Sequence, residues 1–189
     1  MTSARRNEIE SKADNVLSQY HILQNSYAEI PNICTSENIS LLSVKLSNGI
    51  DGIFCSNNNE KIIYYNEVKP FGRQNFTKAH ELGHYFLEHE LKESNFICDV
   101  NKEEGSEIEA EANYYAACFL MPKRLMFQYF CEVVELQMRT PNRPLYVDSQ
   151  PCNIADWKMS CNYFCSRLGV SSEALRYRLE HLGLLDYRL

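Results

Sequence analysis

Between residues 7 and 24 the apolar positions Ile9, Ala13, Val16, Leu17 and Tyr20 recur at helical spacing among charged residues, which predicts an amphipathic helix. The period changes after residue 39. Residues 40–46 alternate in part, Asn48-Gly49 is a two-residue hairpin signal, and 50–56 follow as a second strand. Asn57-Asn58-Asn59 makes a further turn before a third strand over 61–65, rich in Ile and Tyr. The expectation is a small three-stranded antiparallel sheet, built as a meander.

Beyond Pro70 the helical period returns. Phe76, Ala79, Gly83, Phe86 and Leu87 fall at i, i+3, i+7, i+10 and i+11, one face of a helix over about 73–91. A polar connection over 92–104 leads to a second helix, about 106–120, which Met121-Pro122 ends because the residue before proline disfavours the α region. A third helix covers about 123–138, and Thr140-Pro141-Asn142-Arg143-Pro144 reads as a loop. Two helices close the chain at about 154–168 and 172–183, split by Gly169, with Ser171 as N-cap. The fold class that follows is α+β and mostly helical, one domain over 1–189.

Composition narrows the class without changing this picture. At 189 residues, 44% apolar and 23% charged, the chain has the profile of one ordinary globular core. A net charge of −6 gives no global field for nucleic acid or anionic lipid. The first twenty residues carry charge throughout and no apolar h-region, so no secretory signal is expected, and the longest apolar stretch is far too short to span a bilayer. Eight cysteines are scattered with no C-x-x-C pair, and they read as reduced thiols in a cytoplasmic protein.

The chemistry concentrates in His80-Glu81-Leu82-Gly83-His84, an H-E-x-x-H pattern within the predicted helix 73–91. Histidines four apart stand on one helical face, so their imidazoles converge on one cation, and the glutamate beside the first meets a metal-activated water rather than the metal. A catalytic zinc needs a third protein ligand and one open position. An extension of the motif along the same helix would need Gly at 87 and His at 90, where the chain has Leu87 and Glu90; His89, five residues past His84, would face another side. The third ligand is therefore sought among Glu107, Glu109 and Glu111 of the second helix. With Ile108, Ala112, Tyr115 and Phe119 as its apolar face, Glu111 lies about 60° from the centre and the other two about 100° off. A carboxylate on the core-facing flank is costly unless it meets a cation, which favours Glu111; the alternative is that all three form a solvated face.

These residues also carry a resemblance. Arg73-x-x-Phe76-Thr77-x-Ala79-His80-Glu81-Leu82-Gly83-His84, then Glu111-Ala112-Asn113-x-Tyr115-Ala116-Ala117-x-x-Leu120-Met121-Pro122, resembles the ImmA/IrrE family of metallopeptidases. Asp51-Gly52 before the motif and Val170-Ser171-x-x-Ala174-x-x-x-Arg178-Leu179 near the end are similar too. The resemblance implies a zincin-like fold, Zn2+ held by His80, His84 and Glu111, and Glu81 as catalytic base. It implies an endopeptidase of a bacterium or mobile element that makes a limited cut in a regulatory protein, a helix-turn-helix repressor. The sensor module of some relatives is not expected here.

Weaker signals are read conservatively. Tyr114 and Tyr115 are core residues before they are oxyanion donors. Cys98 is a loop cysteine rather than a thiolate plug, and Cys161 with Cys165 belongs to the core. Residues 154–185 have a helix–turn–helix pattern carrying Arg176 and Arg178, yet an acidic chain lacks the basic footprint of a DNA reader. The expected partner is a protein, with no direct nucleic acid and no membrane. The rival to cleavage is a non-cleaving anti-repressor or toxin–antitoxin binding module of the same fold.

Overall fold

The computed structural model describes residues 1–47, 49–56, 60–89, 107–136 and 144–188. Its architecture is α+β and mostly helical. Helix α1 (Ser3–Gln19) starts at Thr2, whose hydroxyl accepts from the Arg5 amide, and buries Ile9, Ala13, Val16 and Leu17. Helix α2 (Ser26–Ser36) has no counterpart in the sequence reading. Pro31 lies inside it and forfeits one backbone bond, but burial of Ile30, Ile33 and Cys34 holds the helix.

Three strands follow, β1 (Ile39–Val44), β2 (Gly52–Ser56) and β3 (Lys61–Asn66), in the order β1-β3-β2. The predicted antiparallel meander is corrected to a mixed sheet. β3 is central, parallel to β1 and antiparallel to β2, so β1 and β2 are not hairpin partners; Asn48 of the predicted turn lies outside the described residues. The physical reason lies at Asn66. Its side-chain amide donates to the Ile50 carbonyl (2.9 Å) and its backbone N–H to that of Asp51 (2.8 Å), so the link from β1 passes round the end of β3. The run Ile62-Ile63-Tyr64-Tyr65, apolar at successive positions, suits a strand flanked on both sides, whereas β1 has the half-exposed pattern of an edge.

Helices α3 (Phe71–Phe86), α4 (Glu107–Leu120) and α5 (Lys123–Leu136) come next, with the predicted break at Met121-Pro122. α4 packs against both α3 and α1, and buries Ala112, Tyr115, Ala116 and Phe119. A short β4 (Leu145–Val147) pairs in parallel with β5 (Leu185–Tyr187), a second sheet that the sequence reading lacks; three-residue strands carry too little period to be seen. Between them run α6 (Pro151–Leu168) and α7 (Ser172–His181). Gly169 ends α6 in the left-handed region (φ 61°) and the Ser171 hydroxyl caps α7, as predicted. Asn75 of α3 donates to the Gly169 carbonyl (2.9 Å), so the α6–α7 turn is packed onto the helix that bears the H-E-x-x-H pattern. No described helix is long and apolar enough to cross a membrane.

Candidate metal centre

His80, Glu81 and His84 lie in the second half of α3 and are buried. The one-turn spacing brings the imidazoles together edge to face with ring centroids 4.7 Å apart, and the two Nε2 atoms approach to 3.0 Å. A ligand atom from each of the three residues lies within 4.8 Å of the others.

The carboxylate that meets this pair is Glu109. One of its oxygens stands 3.3 Å from His80 Nε2 and the other 3.2 Å from His84 Nε2. Glu111, the expected third ligand, points elsewhere: its oxygens accept from Arg5 Nε (2.9 Å) and Arg5 Nη2 (2.6 Å), and one lies 3.2 Å from His89 Nε2. Helical periodicity does not single out the ligand because α4 has no single apolar face. It is buried against α3 on one side and α1 on another, while Ile108, placed at the centre of the apolar face, is 45% exposed. The stripe towards α3 is Glu109, Ala112, Asn113 and Ala116, at i, i+3, i+4 and i+7. Its small residues were the available signal. A Cβ added at Gly83 of α3 would stand 3.2 Å from the Ala112 carbonyl oxygen and 3.1 Å from the Tyr115 ring, so glycine and alanine let the two helices close up.

A second layer orients the histidines. His80 Nδ1 lies 3.0 Å from Asn113 Oδ1; with the amide oxygen as acceptor, the proton sits on Nδ1 and Nε2 is left bare. His84 Nδ1 lies 2.9 Å from His89 Nδ1. A helix continued to about residue 91, as periodicity predicts, would put His89 on another side. α3 instead ends at Phe86, Glu88 takes a left-handed φ of 55°, and the His89 amide donates back to the His84 carbonyl, which folds its ring onto His84. Nothing in Leu87-Glu88-His89 announces that turn. Burial pushes the His89 imidazole below its ordinary range, disfavouring its cationic form. The Arg5 guanidinium holds the Glu111 carboxyl below the usual carboxylate range. Arg5, 106 residues away in the sequence, was beyond any local signal.

Glu81 is almost fully buried and abuts β2. A Cβ at Gly52 would stand 3.1 Å from Glu81 Oε1 and 2.2 Å from Thr77 Cγ2. Asp51 fixes the start of that strand to α3 by pairing with Lys69 (2.8 Å) and with Arg73, whose Nε donates at 2.6 Å. Burial alone would raise the Asp51 carboxyl, but these two cations outweigh it and hold it below the ordinary range. Neither tyrosine considered as an oxyanion donor stands out at the centre. Tyr115 stacks between Phe86 and Phe119, fully buried, and Tyr114 packs against His181.

The residues fit a divalent cation. Ligands about 2.0–2.1 Å from a tetrahedral zinc are about 3.3 Å apart. The triangle of His80 Nε2, His84 Nε2 and the Glu109 carboxylate has edges of 3.0 to 3.3 Å. Convergence of lone pairs in a buried site is costly unless a cation lies among them. Cys98 falls outside the described residues. Cys161 and Cys165 are half-buried on α6 with their sulfurs 3.7 Å apart.

Comparison with known proteins is consistent with this geometry. The family model for peptidase family M78, described as an IrrE N-terminal-like domain, matches residues 34–180. No curated protein matches the chain. Among solved structures, a Mycobacterium tuberculosis transcriptional regulator is similar with a TM-score of 0.57 at 15% identity, over 94% of this chain and 49% of that one. The chain thus spans about half the length of that structure, and at such identity the likeness is one of fold.

Proposed function

The chain belongs to the M78 peptidase family of IrrE N-terminal-like domains, and from that premise we propose that it is a zinc-dependent endopeptidase that makes a limited cut in a regulatory protein of the cytoplasm, a helix-turn-helix repressor. The observation that carries the reading is the convergence of His80 Nε2, His84 Nε2 and the Glu109 carboxylate beside a buried Glu81. His80, His84 and Glu109 would hold the metal. Bound zinc supplies a Lewis acid that polarises a carbonyl and brings the pKa of water to about 7.

The remaining work falls to the chain's own groups. Glu81, buried against Gly52 and adjacent to the metal ligand His80, takes a proton from the attacking water and delivers it to the leaving amine. Asn113 keeps the His80 proton on Nδ1 and so keeps Nε2 free to bind. Selectivity comes from docking outside the cleft, because an unregulated protease is not tolerated in a cytoplasm; binding energy gathered at a distance orients one peptide bond over the site. The repressor as substrate rests on the family resemblance. The test is incubation of zinc-loaded protein with the repressor encoded beside it and, separately, with casein, read by mass spectrometry. One discrete repressor cut, absent with Glu81→Gln, is expected. Broad casein digestion would make it a general protease, and an uncut repressor released from its operator would make it a sequestering binder.

A further inference from the structure

The contacts behind His84 form a chain that leaves the metal site and ends on α1. Arg5 makes a two-point pair with Glu111, at 2.9 and 2.6 Å. A carboxylate so held only accepts hydrogen bonds. His89 Nε2, 3.2 Å from Glu111, must therefore be the protonated nitrogen. A neutral imidazole has one donor, so His89 Nδ1 accepts, and among the described residues the group facing it is His84 Nδ1 at 2.9 Å. His84 then carries its proton on Nδ1 and presents a bare Nε2 towards His80 and Glu109.

We propose that Arg5, Glu111 and His89 are positioning residues that fix the tautomer and ring orientation of His84, so that α1 helps to assemble the metal site. This rests on the metal-site reading given above. Arg5 precedes residues 34–180, the stretch that matches the family model, so the outermost link belongs to a part of the chain that the family match does not describe. The components are built for the task. His84, His89 and Glu111 have side chains exposed by 3%, 6% and 10%, so water does not substitute for a missing link. Arg5 is also held by Glu8 on its own helix, at 2.8 Å, which limits its freedom to leave Glu111.

The experiment reads two quantities that need no substrate: the His84 tautomer in metal-free protein, by long-range proton–nitrogen NMR, and zinc affinity, by competition with a chromophoric chelator. In the parent, His84 is expected as the Nδ1–H tautomer. Glu111→Gln and His89→Ala should each abolish that preference and weaken zinc about 10–100-fold, the usual effect of losing an outer-shell partner. The double variant should lose no more than about twice the stronger single variant, because all three act through one chain. Arg5→Ala should weaken zinc by a smaller factor and Arg5→Lys should recover most of it; this pair carries the test should either buried variant unfold. An unchanged tautomer with zinc affinity within about twofold of the parent in these variants overturns the proposal. Complete loss of zinc in Glu111→Gln, with full zinc in Glu109→Ala, would instead make Glu111 a direct ligand and overturn the metal-site reading itself.

Discussion

Gly52 of β2 lies against Glu81 of α3, close enough that an added Cβ would stand 3.1 Å from Glu81 Oε1 and 2.2 Å from Thr77 Cγ2. The strand β2 and the helix α3 are thus packed at backbone distance where Glu81, the proposed base, sits. Gly52 and Phe54 project to the same side by the two-residue period, and Phe54 makes an edge contact with Tyr85 one turn past Glu81. Gly52→Ala must therefore displace the helix or the strand. It should destabilise by about 1–3 kcal/mol, the usual cost of overpacking, and lower cleavage further than stability accounts for. Denaturant unfolding beside a peptide-cleavage assay checks it, and a fully active alanine variant would show that the contact is looser than this.

On the proposed reading Glu81 is the base and Glu109 a metal ligand, and separate readouts can tell these roles apart. Glu109 faces both Nε2 atoms, so Glu109→Ala should lose most of the bound zinc while Glu107→Ala, 71% exposed in its side chain, keeps it. Glu81→Gln removes a base without removing a ligand. It should retain about one zinc and lose about 10²–10⁴-fold in cleavage rate. Elemental analysis of the three purified variants together with a cleavage assay of Glu81→Gln checks this, and zinc leaving with Glu81→Gln would reverse the assigned roles.

The contrast between Glu109 and Glu111 also marks how far sequence carries. The helix bearing His80 and His84 was legible because an apolar stripe and a four-residue metal spacing agree on one face. The choice of glutamate was not, because a wheel argument assumes one buried side and α4 has two. His89 was lost for a related reason: periodicity extends a helix until something stops it, and the left-handed turn at Glu88 uses no glycine or asparagine. The strand order failed where Asn48-Gly49, a sound local signal, was outweighed by the pairing of β1 with β3 and the bonds that Asn66 makes to the intervening link. Local rules named the elements apart from α2, β4 and β5; contacts distant in sequence decided which partners they took.

Asp51 gives the pH dependence. Its carboxyl is held below its ordinary range by Lys69 and Arg73 against the opposing effect of burial. A carboxylate lowered on folding adds stability that is fully present above the unfolded value, about 3.9, and is lost as pH falls through the lower folded value. Asp51→Asn should cost about 1 kcal/mol near pH 7, since the pair is partly exposed, and the difference from the parent should close below about pH 4. Thermal unfolding across that range measures it. A gap that persists undiminished at low pH would mean that the side chain contributes by packing and not by charge.

Arg178 decides what the C-terminal helices are for. As the end of a helix–turn–helix pattern it sits where a DNA reader would place a basic side chain, yet it is 1% exposed. Its Nε donates to the Met121 carbonyl at the end of α4 (3.1 Å) and its Nη2 to Glu10 of α1 (2.5 Å), joining three helices of the peptidase fold. Arg176, on the outer face, pairs with Glu180 at 3.2 Å and covers the Tyr187 ring, so its charge is partly neutralised on its own helix. No basic footprint remains on α7 to release counterions from a duplex. Arg178→Ala should cost about 3–5 kcal/mol, the range for stranding the partner of a buried ion pair, and should do so without DNA. The parent, titrated with duplex at low salt, should bind weakly and without sequence preference. A tight, sequence-dependent shift that survives in Arg178→Ala would assign DNA reading to the exposed face of α7, and a variant as stable as the parent would remove Arg178 from the packing of α1, α4 and α7.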